Sequence, residues 1–335
     1  MHHVGLDVHW KTSTLAILDE NGRKVKEHTV RGSWPRLLAW LQEYDKPFQV
    51  CFEATCGYGY LYDELAKIAE RVVMAHPGQL RLIFRSKRKS DRVDALKLAK
   101  LLYLDEVPAA HVPDQDVREW RELIEFRRRL VDRRTSVKCQ IRSLLRTYGV
   151  YAPKGLWSRS GVAWLKEQSF PTLTGTLRRD MLLTEYVVYH EKVKAVTKVL
   201  NGIARQHPGV QLLRTIPGVG ARTAEAVMAY VDRAARFRRA NQMSSYFGLV
   251  PCQDASAGKN RLGHITKQGP ATARKYLVEA TWQGVRRSPT IRAHYERIVG
   301  GKKDRGKLAL VGTTQWLVRC MFSMLRTGEA WREAA

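Results

Sequence analysis

Long apolar runs are missing from this 335-residue sequence. No stretch reaches the roughly 18 consecutive apolar residues that a membrane-spanning helix needs. Residues 1–7 also lack the basic and then apolar order of a secretory signal peptide. We therefore expect a cytoplasmic protein with no membrane partner.

Paired cysteines are missing as well. The sequence has five cysteines, an odd number, and none of them forms a Cys-x-x-Cys pair. Such scattered spacing argues against a disulfide framework and against a structural zinc site. We expect reduced and mostly buried thiols at Cys51, Cys56, Cys139, Cys252 and Cys320.

Acidic residues are few compared with basic ones. The chain has 58 Lys and Arg against 32 Asp and Glu, which gives a formal net charge of +26. Such an excess attracts polyanions, and nucleic acid is the first candidate. Apolar residues make up 44% of the chain, too many for a disordered basic tail, so we expect a folded basic protein.

The first hundred residues alternate between strand and helix patterns. Strands are predicted at residues 3–8, 13–18, 25–30, 48–53 and 71–75. Helices are predicted at residues 35–43, 60–69 and 91–104. Three antiparallel strands that lead into a strand-helix-strand alternation indicate an α/β domain with a mixed five-stranded sheet.

A basic helix is predicted at residues 117–148. Leu123, Leu130, Val137 and Leu144 recur every seven residues, which favours a packing stripe. The faces between them carry candidate nucleic-acid-binding cations at Arg127, Arg128, Arg134, Lys138 and Arg142. An ordinary surface helix with solvated charges would show the same pattern. After a break at 149–175, a helix at 177–205 is expected to pack antiparallel on the first.

The remainder of the chain is predicted to be helical with loops. A Pro-Gly-Val-Gly turn at residues 217–220 joins two apolar-patterned helices, as in a helix-hairpin-helix module. Gly218 and Gly220 would let the backbone approach a phosphate, although such a turn can also serve packing alone.

Four carboxylates in the first hundred residues suit a metal site. Asp7 lies in the first predicted strand, Glu53 ends the fourth, and Asp91 and Asp94 share one face of a helix. Carboxylates on strands and on a helix in this order are typical of RNase H-like nucleases, and Mg²⁺ prefers such oxygen ligands. Cations just upstream would meet a nucleic-acid backbone, at Arg85, Lys87, Arg88 and Lys89.

Several motifs together resemble one family. They are Gly-Leu-Asp-Val at 5–8, Phe-Glu-Ala-Thr-Cys-Gly-Tyr at 52–58, Lys-Ser-Asp-Arg-Val-Asp-Ala at 89–95, Ile-Pro-Gly-Val-Gly at 216–220, Tyr-Phe-Gly-Leu-Val-Pro at 246–251, and His-Ile-Thr-Lys-Gln-Gly at 264–269, followed by Arg274. Their order and spacing resemble the bridge-RNA-guided insertion-sequence transposases, which carry a DEDD RuvC-like domain and are related to Piv-type DNA invertases. The resemblance covers nearly the whole chain.

The resemblance implies a domain organisation and a chemistry. It implies a RuvC-like catalytic domain at 1–112, a helical coiled-coil arm with a central break at 113–206, and a mainly helical transposase domain at 207–335. It also implies that Mg²⁺ on Asp7, Glu53, Asp91 and Asp94 assists a serine nucleophile that forms a phosphoserine link to DNA. The matching serine is Ser256, although Ala257 stands where the family usually has glycine.

The implied partners are a noncoding guide RNA, donor and target double-stranded DNA, and further copies of the chain, as a tetramer built from two dimers. Further candidate nucleic-acid-binding residues lie in the last segment, at Lys259, Arg261, Lys267, Arg274 and Lys275. Two alternatives stay open: a RuvC-like junction endonuclease that hydrolyses DNA with water, and a helix-hairpin-helix binding protein without catalysis.

Overall fold

The structure is a computed structural model that describes residues 1–83, 90–256 and 259–333, without the side chains at 255, 256, 259, 260 and 303. It divides into two compact units, residues 1–115 and 116–335. The predicted arm and the predicted last segment fall almost wholly within the second unit.

The first unit is built on a five-stranded mixed sheet, as predicted. Its strands are β1 (His2–Val8), β2 (Thr12–Leu18), β3 (Lys24–Arg31), β4 (Phe48–Glu53) and β5 (Arg71–Ala75). Their order is β3-β2-β1-β4-β5. The first three strands pair antiparallel, whereas β1, β4 and β5 are parallel neighbours.

Helices cover both faces of this sheet. They are α1 (Trp34–Gln42), α2 (Tyr58–Leu65), α3 (Pro77–Ile83) and α4 (Asp91–Tyr103). Leu6 and Phe52 pack with α1 and α2 on one face, whereas Cys51 and Val73 pack with α4 on the other. The alternation along β1 and β4 therefore separates two apolar layers. Helix α3 was not predicted.

A pair of long helices opens the second unit. They are α5 (Gln115–Thr147) and α7 (Leu173–Gln206), and the shorter α6 (Arg159–Glu167) lies between them in sequence. Arg127 Nε donates to Thr197 Oγ1 over 2.8 Å, and the hydroxyls of Tyr148 and Thr172 lie 3.1 Å apart. Because the contacts pair early residues of α5 with late residues of α7, the two helices are antiparallel, as predicted. Helix α6 lies in the stretch predicted as a break.

The rest of the second unit is mostly helical. Its elements are α8 (Pro208–Leu213), α9 (Ala221–Val231), α10 (Ala240–Tyr246), β6 (Pro251–Ser256), β7 (Lys259–Ile265), α11 (Ala271–Arg287), α12 (Pro289–Val299) and α13 (Gly306–Thr327). Helices α9, α11 and α13 supply buried side chains to one large apolar core. The antiparallel pair of β6 and β7 was not predicted.

Helix α13 has the length and mean hydropathy of a membrane span, alone among the described helices. Its side chains Leu317, Val318 and Met321 are fully buried in the core of the second unit. The five cysteines are free, as predicted. The expectation that most of them are buried is wrong, because only Cys51 is buried and three are exposed.

Candidate active site

Asp7 and Glu53 stand side by side at the carboxyl ends of two parallel strands. Leu6 of β1 is in register with Phe52 of β4, so the residues that follow them are also neighbours. Side chains alternate along a strand, which places Asp7 on the same face as Gly5. That is the face that α4 covers.

Helix α4 brings two more carboxylates to this sheet edge because it packs directly on the backbone of β1. A Cβ atom at Gly5 would lie 2.1 Å from the carbonyl oxygen of Ala95 and 2.4 Å from the backbone nitrogen of Ala99. Only glycine permits so close an approach. The first turn of α4, with Asp91 and Asp94, then lies toward the end of β1 that carries Asp7.

The start of α4 suits negative charge. The Ser90 hydroxyl accepts a hydrogen bond from the backbone N–H of Val93, which caps the helix. Asp91 and Asp94 lie in the first turn, where the helix dipole favours carboxylates. Lys97 lies 3.2 Å from Asp94 and forms an ion pair with it.

The other three carboxylates act on the electrostatics of Asp7. Burial raises the pKa of Asp7, and the charges of Asp91, Asp94 and Glu53 raise it further. His9 opposes this shift, and its Nε2 atom lies 3.7 Å from Asp7 Oδ1. The protein therefore holds a carboxylate where neither burial nor its acidic neighbours favour the charged form.

A cation would relieve this repulsion. Ligand atoms of Asp7, His9 and Asp91 all lie within 4.8 Å of one another. Carboxylate oxygens are the ligands that Mg²⁺ prefers, so the donor set fits a divalent cation. Glu53 and Asp94 lie outside this group of three but still raise the pKa of Asp7.

His9 was missed in the sequence. It lies two residues after Asp7, just past the end of β1, and is exposed. Continuing the alternation of β1 by two residues would have placed it on the face of Asp7.

Ser256 is the last residue of β6, at the closed end of the β6–β7 hairpin. Its strand partner is Lys259 of β7. The two strands that flank this position were not predicted, since the last segment was expected to be helical with loops. The Ser256 side chain and Ala257 lie outside the described residues.

Two other serines of this region differ in accessibility. Ser244 is fully buried in α10, and its hydroxyl lies within hydrogen-bond distance of the carbonyl oxygens of Ala240 and Gln315. Ser245 is exposed. Burial keeps the Ser244 hydroxyl out of reach of any ligand in the solvent.

Both units of the chain resemble known transposases. A transposase family model of the IS110 DEDD type matches residues 4–150. A second model, described as transposase IS116/IS110/IS902 family, matches residues 210–296. The chain belongs to the IS110/IS116/IS902 family of transposases. The first match includes the four carboxylates, and the second includes the hairpin with Ser256.

Individual relatives of this transposase share about a quarter of its residues. The transposase for insertion sequence element IS1111A of Coxiella burnetii is 28% identical over 282 residues, which cover 82% of this chain and 75% of the relative. The y4qE protein of Sinorhizobium fredii, also named as a transposase, is 27% identical over 290 residues, or 83% of this chain and 70% of the relative. The transposase for IS1328 of Yersinia enterocolitica is 24% identical over 235 residues, which cover 70% of each chain.

The candidate cations on α5 of the transposase differ in their surroundings. Arg128 forms ion pairs with Glu125 at 3.0 Å and with Asp132 at 2.7 Å, so its charge is largely neutralised within the helix. Arg127 is held by Thr197, as described above. Arg134 lies near His190, whereas Lys138 and Arg142 lie over the ring of Trp157.

The candidate cations of the last segment divide in the same way. The guanidinium of Arg274 donates to the carbonyl oxygens of Phe247 and Gln268, so it holds a turn together. Three others are exposed: Arg261, Lys267 and Lys275. The remaining candidates, Arg85, Lys87, Arg88, Lys89 and the side chain of Lys259, lie outside the described residues.

The two glycines of the Pro-Gly-Val-Gly turn face different surroundings. Gly218 has a φ of +93°, and a Cβ there would lie 2.4 Å from the backbone nitrogen of Gly284 in α11. The backbone of Gly218 therefore packs closely against α11 of the protein itself. Gly220, just before α9, has nothing within 4 Å of its Cβ position and leaves room for a ligand.

Proposed function

We propose that this transposase cleaves and rejoins DNA by serine attack on phosphodiester bonds, with Asp7, Glu53, Asp91 and Asp94 holding Mg²⁺. The observation that carries the proposal is the convergence of the four carboxylates at one end of the sheet, where burial and then the charges of Asp91, Asp94 and Glu53 raise the pKa of Asp7. A structural role alone would not explain this arrangement, because a partly buried carboxylate among like charges destabilises the fold.

The chain's contribution at this edge is to position the ligands. When bound, a divalent cation supplies charge that polarises the scissile phosphate and stabilises the leaving oxygen. Asp7 and Glu53 are fixed by strand pairing, and Asp91 and Asp94 by a capped helix turn. Rigid elements hold such ligands more accurately than loops do.

The proposed covalent step conserves the phosphodiester bond energy. The Ser256 hydroxyl oxygen attacks phosphorus, an Oγ–P bond forms, and the bond from phosphorus to one deoxyribose oxygen breaks. The serine proton passes to a base or to water, and the released sugar oxygen takes up a proton. A hydroxyl from a second DNA strand reverses the step, so strands are rejoined without an external energy source.

The serine is tested by detection of a covalent protein–DNA species. Ser256→Ala should abolish both cleavage of end-labelled DNA and the labelled band that survives denaturation with the protein. Ser245→Ala is the matched control, because Ser245 is an exposed serine of the same unit. It should retain both activities.

The hydrolytic alternative gives a different result. If water is the nucleophile, Ser256→Ala keeps cleavage, no covalent species forms in the parent, and Asp7→Asn still abolishes cleavage. That combination would overturn the serine step while leaving the metal site intact.

We further propose that a noncoding RNA guides the choice of DNA and that the active form is a tetramer. The formal net charge of +26 supports an RNA partner in addition to DNA. Sequencing of RNA that copurifies with the protein should find one discrete RNA species, encoded in the DNA that flanks the transposase gene within its insertion sequence. Random cellular RNA, or cleavage that is unchanged after the RNA is removed, would reject guidance. Light scattering with and without RNA and DNA tests the assembly.

A further inference from the structure

A cavity of about 570 Å³ lies in the second unit, where α5 ends and the chain continues toward α6. Its walls are the last turns of α5 and residues 149–157. This volume falls within the range of roughly 300–1,000 Å³ that is typical of small-molecule sites. Of the candidate site residues considered above, only Arg142 contributes to it.

The cavity is cationic. Arg142, Arg146 and Lys154 line it, and no Asp or Glu does. Within the described part of the chain, none of the three forms an ion pair. Nearby, burial and the charges of Arg134 and Arg142 lower the pKa of Lys138. The region therefore holds an excess of positive charge without an internal counter-ion.

Aromatic rings accompany these cations. Tyr151 is 94% exposed, so its ring is accessible to a ligand in the solvent. Trp157 is held in place by the Tyr186 ring, with ring centroids 4.8 Å apart, and by Lys138, whose Nζ lies 4.9 Å from the Trp157 ring centroid. The buried indole N–H of Trp157 finds no hydrogen-bond acceptor among the described residues.

We propose that this cavity binds an unpaired nucleotide, with the base stacked on Tyr151 and the phosphate held by Arg146 and Lys154. Stacking on an aromatic ring beside cations is the usual way in which proteins bind single-stranded nucleic acid. A base inside a duplex cannot enter a concave site unless it leaves the stack. The inference deepens the proposed function, since it names where an unpaired stretch of the guide or of opened DNA would be held.

The test uses the full chain, freed of nucleic acid, without Mg²⁺. Fluorescently labelled oligouridine and oligothymidine serve as single strands, and a blunt DNA duplex serves as the comparison. Tyr151→Ala should weaken single-strand binding by about five- to 150-fold, since a stacked base contributes roughly 1–3 kcal/mol, and should leave duplex binding nearly unchanged. Tyr151→Phe keeps the ring and should bind as the parent does.

The phosphate contact has a matched control on the same helix. Arg146→Gln should weaken single-strand binding, whereas Arg129→Gln removes the same charge from an exposed position of α5 outside the cavity. Photocrosslinking with 5-bromouridine should label the peptide that contains Tyr151. Comparison of the affinities for oligouridine and oligothymidine shows whether RNA or single-stranded DNA is preferred.

Three results would overturn the proposal: single-strand binding that is unchanged in Tyr151→Ala, equal weakening of duplex binding, or a changed oligomeric state as the only effect. Failure of the metal and serine chemistry is a separate outcome. The variant Asp7→Asn should lose cleavage while it keeps single-strand binding.

Discussion

Replacing Gly5 by alanine should separate α4 from β1 and thereby disperse the carboxylates. The new Cβ would lie 2.1 Å from the Ala95 carbonyl oxygen, whereas ordinary contacts begin near 3.4 Å. Both obstacles, at Ala95 and Ala99, are backbone atoms, so no side chain can rotate away. Relief of the clash therefore requires α4 to move by about 1 Å against a close-packed core.

Two magnitudes follow from this displacement. Overpacking in a core costs about 1–3 kcal/mol, and we expect the upper end because backbone meets backbone. Asp91 and Asp94 move with the helix, and a misplacement of about 1 Å can lower a catalysed rate by about 100-fold. A variant that still folds should therefore show a large loss of the cleavage rate.

The assay is urea unfolding together with the rate of Mg²⁺-dependent DNA cleavage, measured at a temperature where the variant remains folded. Gly202→Ala is the control, because Gly202 lies within α7 with nothing within 4 Å of its Cβ position. That exchange should stabilise the protein by up to about 1 kcal/mol, since alanine is the better helix former. The reasoning is refuted if Gly5→Ala unfolds within about 0.5 kcal/mol of the parent and cleaves at the parent rate.

Three further predictions concern charged groups. Asp7→Asn should raise the melting temperature without Mg²⁺, because it removes a carboxylate whose pKa burial raises, and should abolish any rise on adding Mg²⁺; a lower melting temperature in both conditions would contradict this. His9→Ala should weaken Co²⁺ binding more than Mg²⁺ binding in calorimetry, because nitrogen ligands favour the transition metal; equal losses would remove His9 from the ligand set. Burial raises the pKa of Glu225 to about 7 against the opposing charge of Arg222, so the folded state holds a proton that the unfolded state releases above about 4.5. The free energy of unfolding should therefore fall by up to about 3 kcal/mol between pH 5 and 7.5, and Glu225→Gln should lose this slope; a slope that persists would assign it to other groups.

The sheet was predictable because its strands follow simple patterns. Both β4 and β5 have the predicted bounds, since each is a short apolar run between polar or turn-forming residues. The β6–β7 hairpin was missed because β6 reads Pro-Cys-Gln-Asp-Ala-Ser, a polar segment with few residues that favour strands. Pairing with β7, rather than local preference, makes it a strand.

The site was predictable in part for a similar reason. Asp7, Glu53 and the two helix carboxylates could be grouped because strand ends and a helix start converge in an α/β domain. The packing of Gly218 on α11 could not be predicted, because a glycine that lets a phosphate approach and one that lets a helix approach give the same sequence pattern. The cationic cavity was not predicted either, because its second wall, residues 149–157, lies in a stretch interpreted only as a break.

Small residues at the contact between α4 and the sheet connect the fold with the proposed chemistry. Gly5 and Ala16 of the sheet meet Ala95 and Ala99 of the helix, and these small side chains bury less apolar surface than leucine or valine would. In exchange, their small size allows the helix axis to come closer to the strands than large side chains would permit. This close packing shortens the distance from the first turn of α4 to the end of β1. The apolar contacts of Leu98, Leu101 and Leu102, farther along α4, hold the helix against the sheet. Apolar packing thus opposes carboxylate repulsion from several residues away, and a substitution in that packing should change metal affinity without touching a ligand.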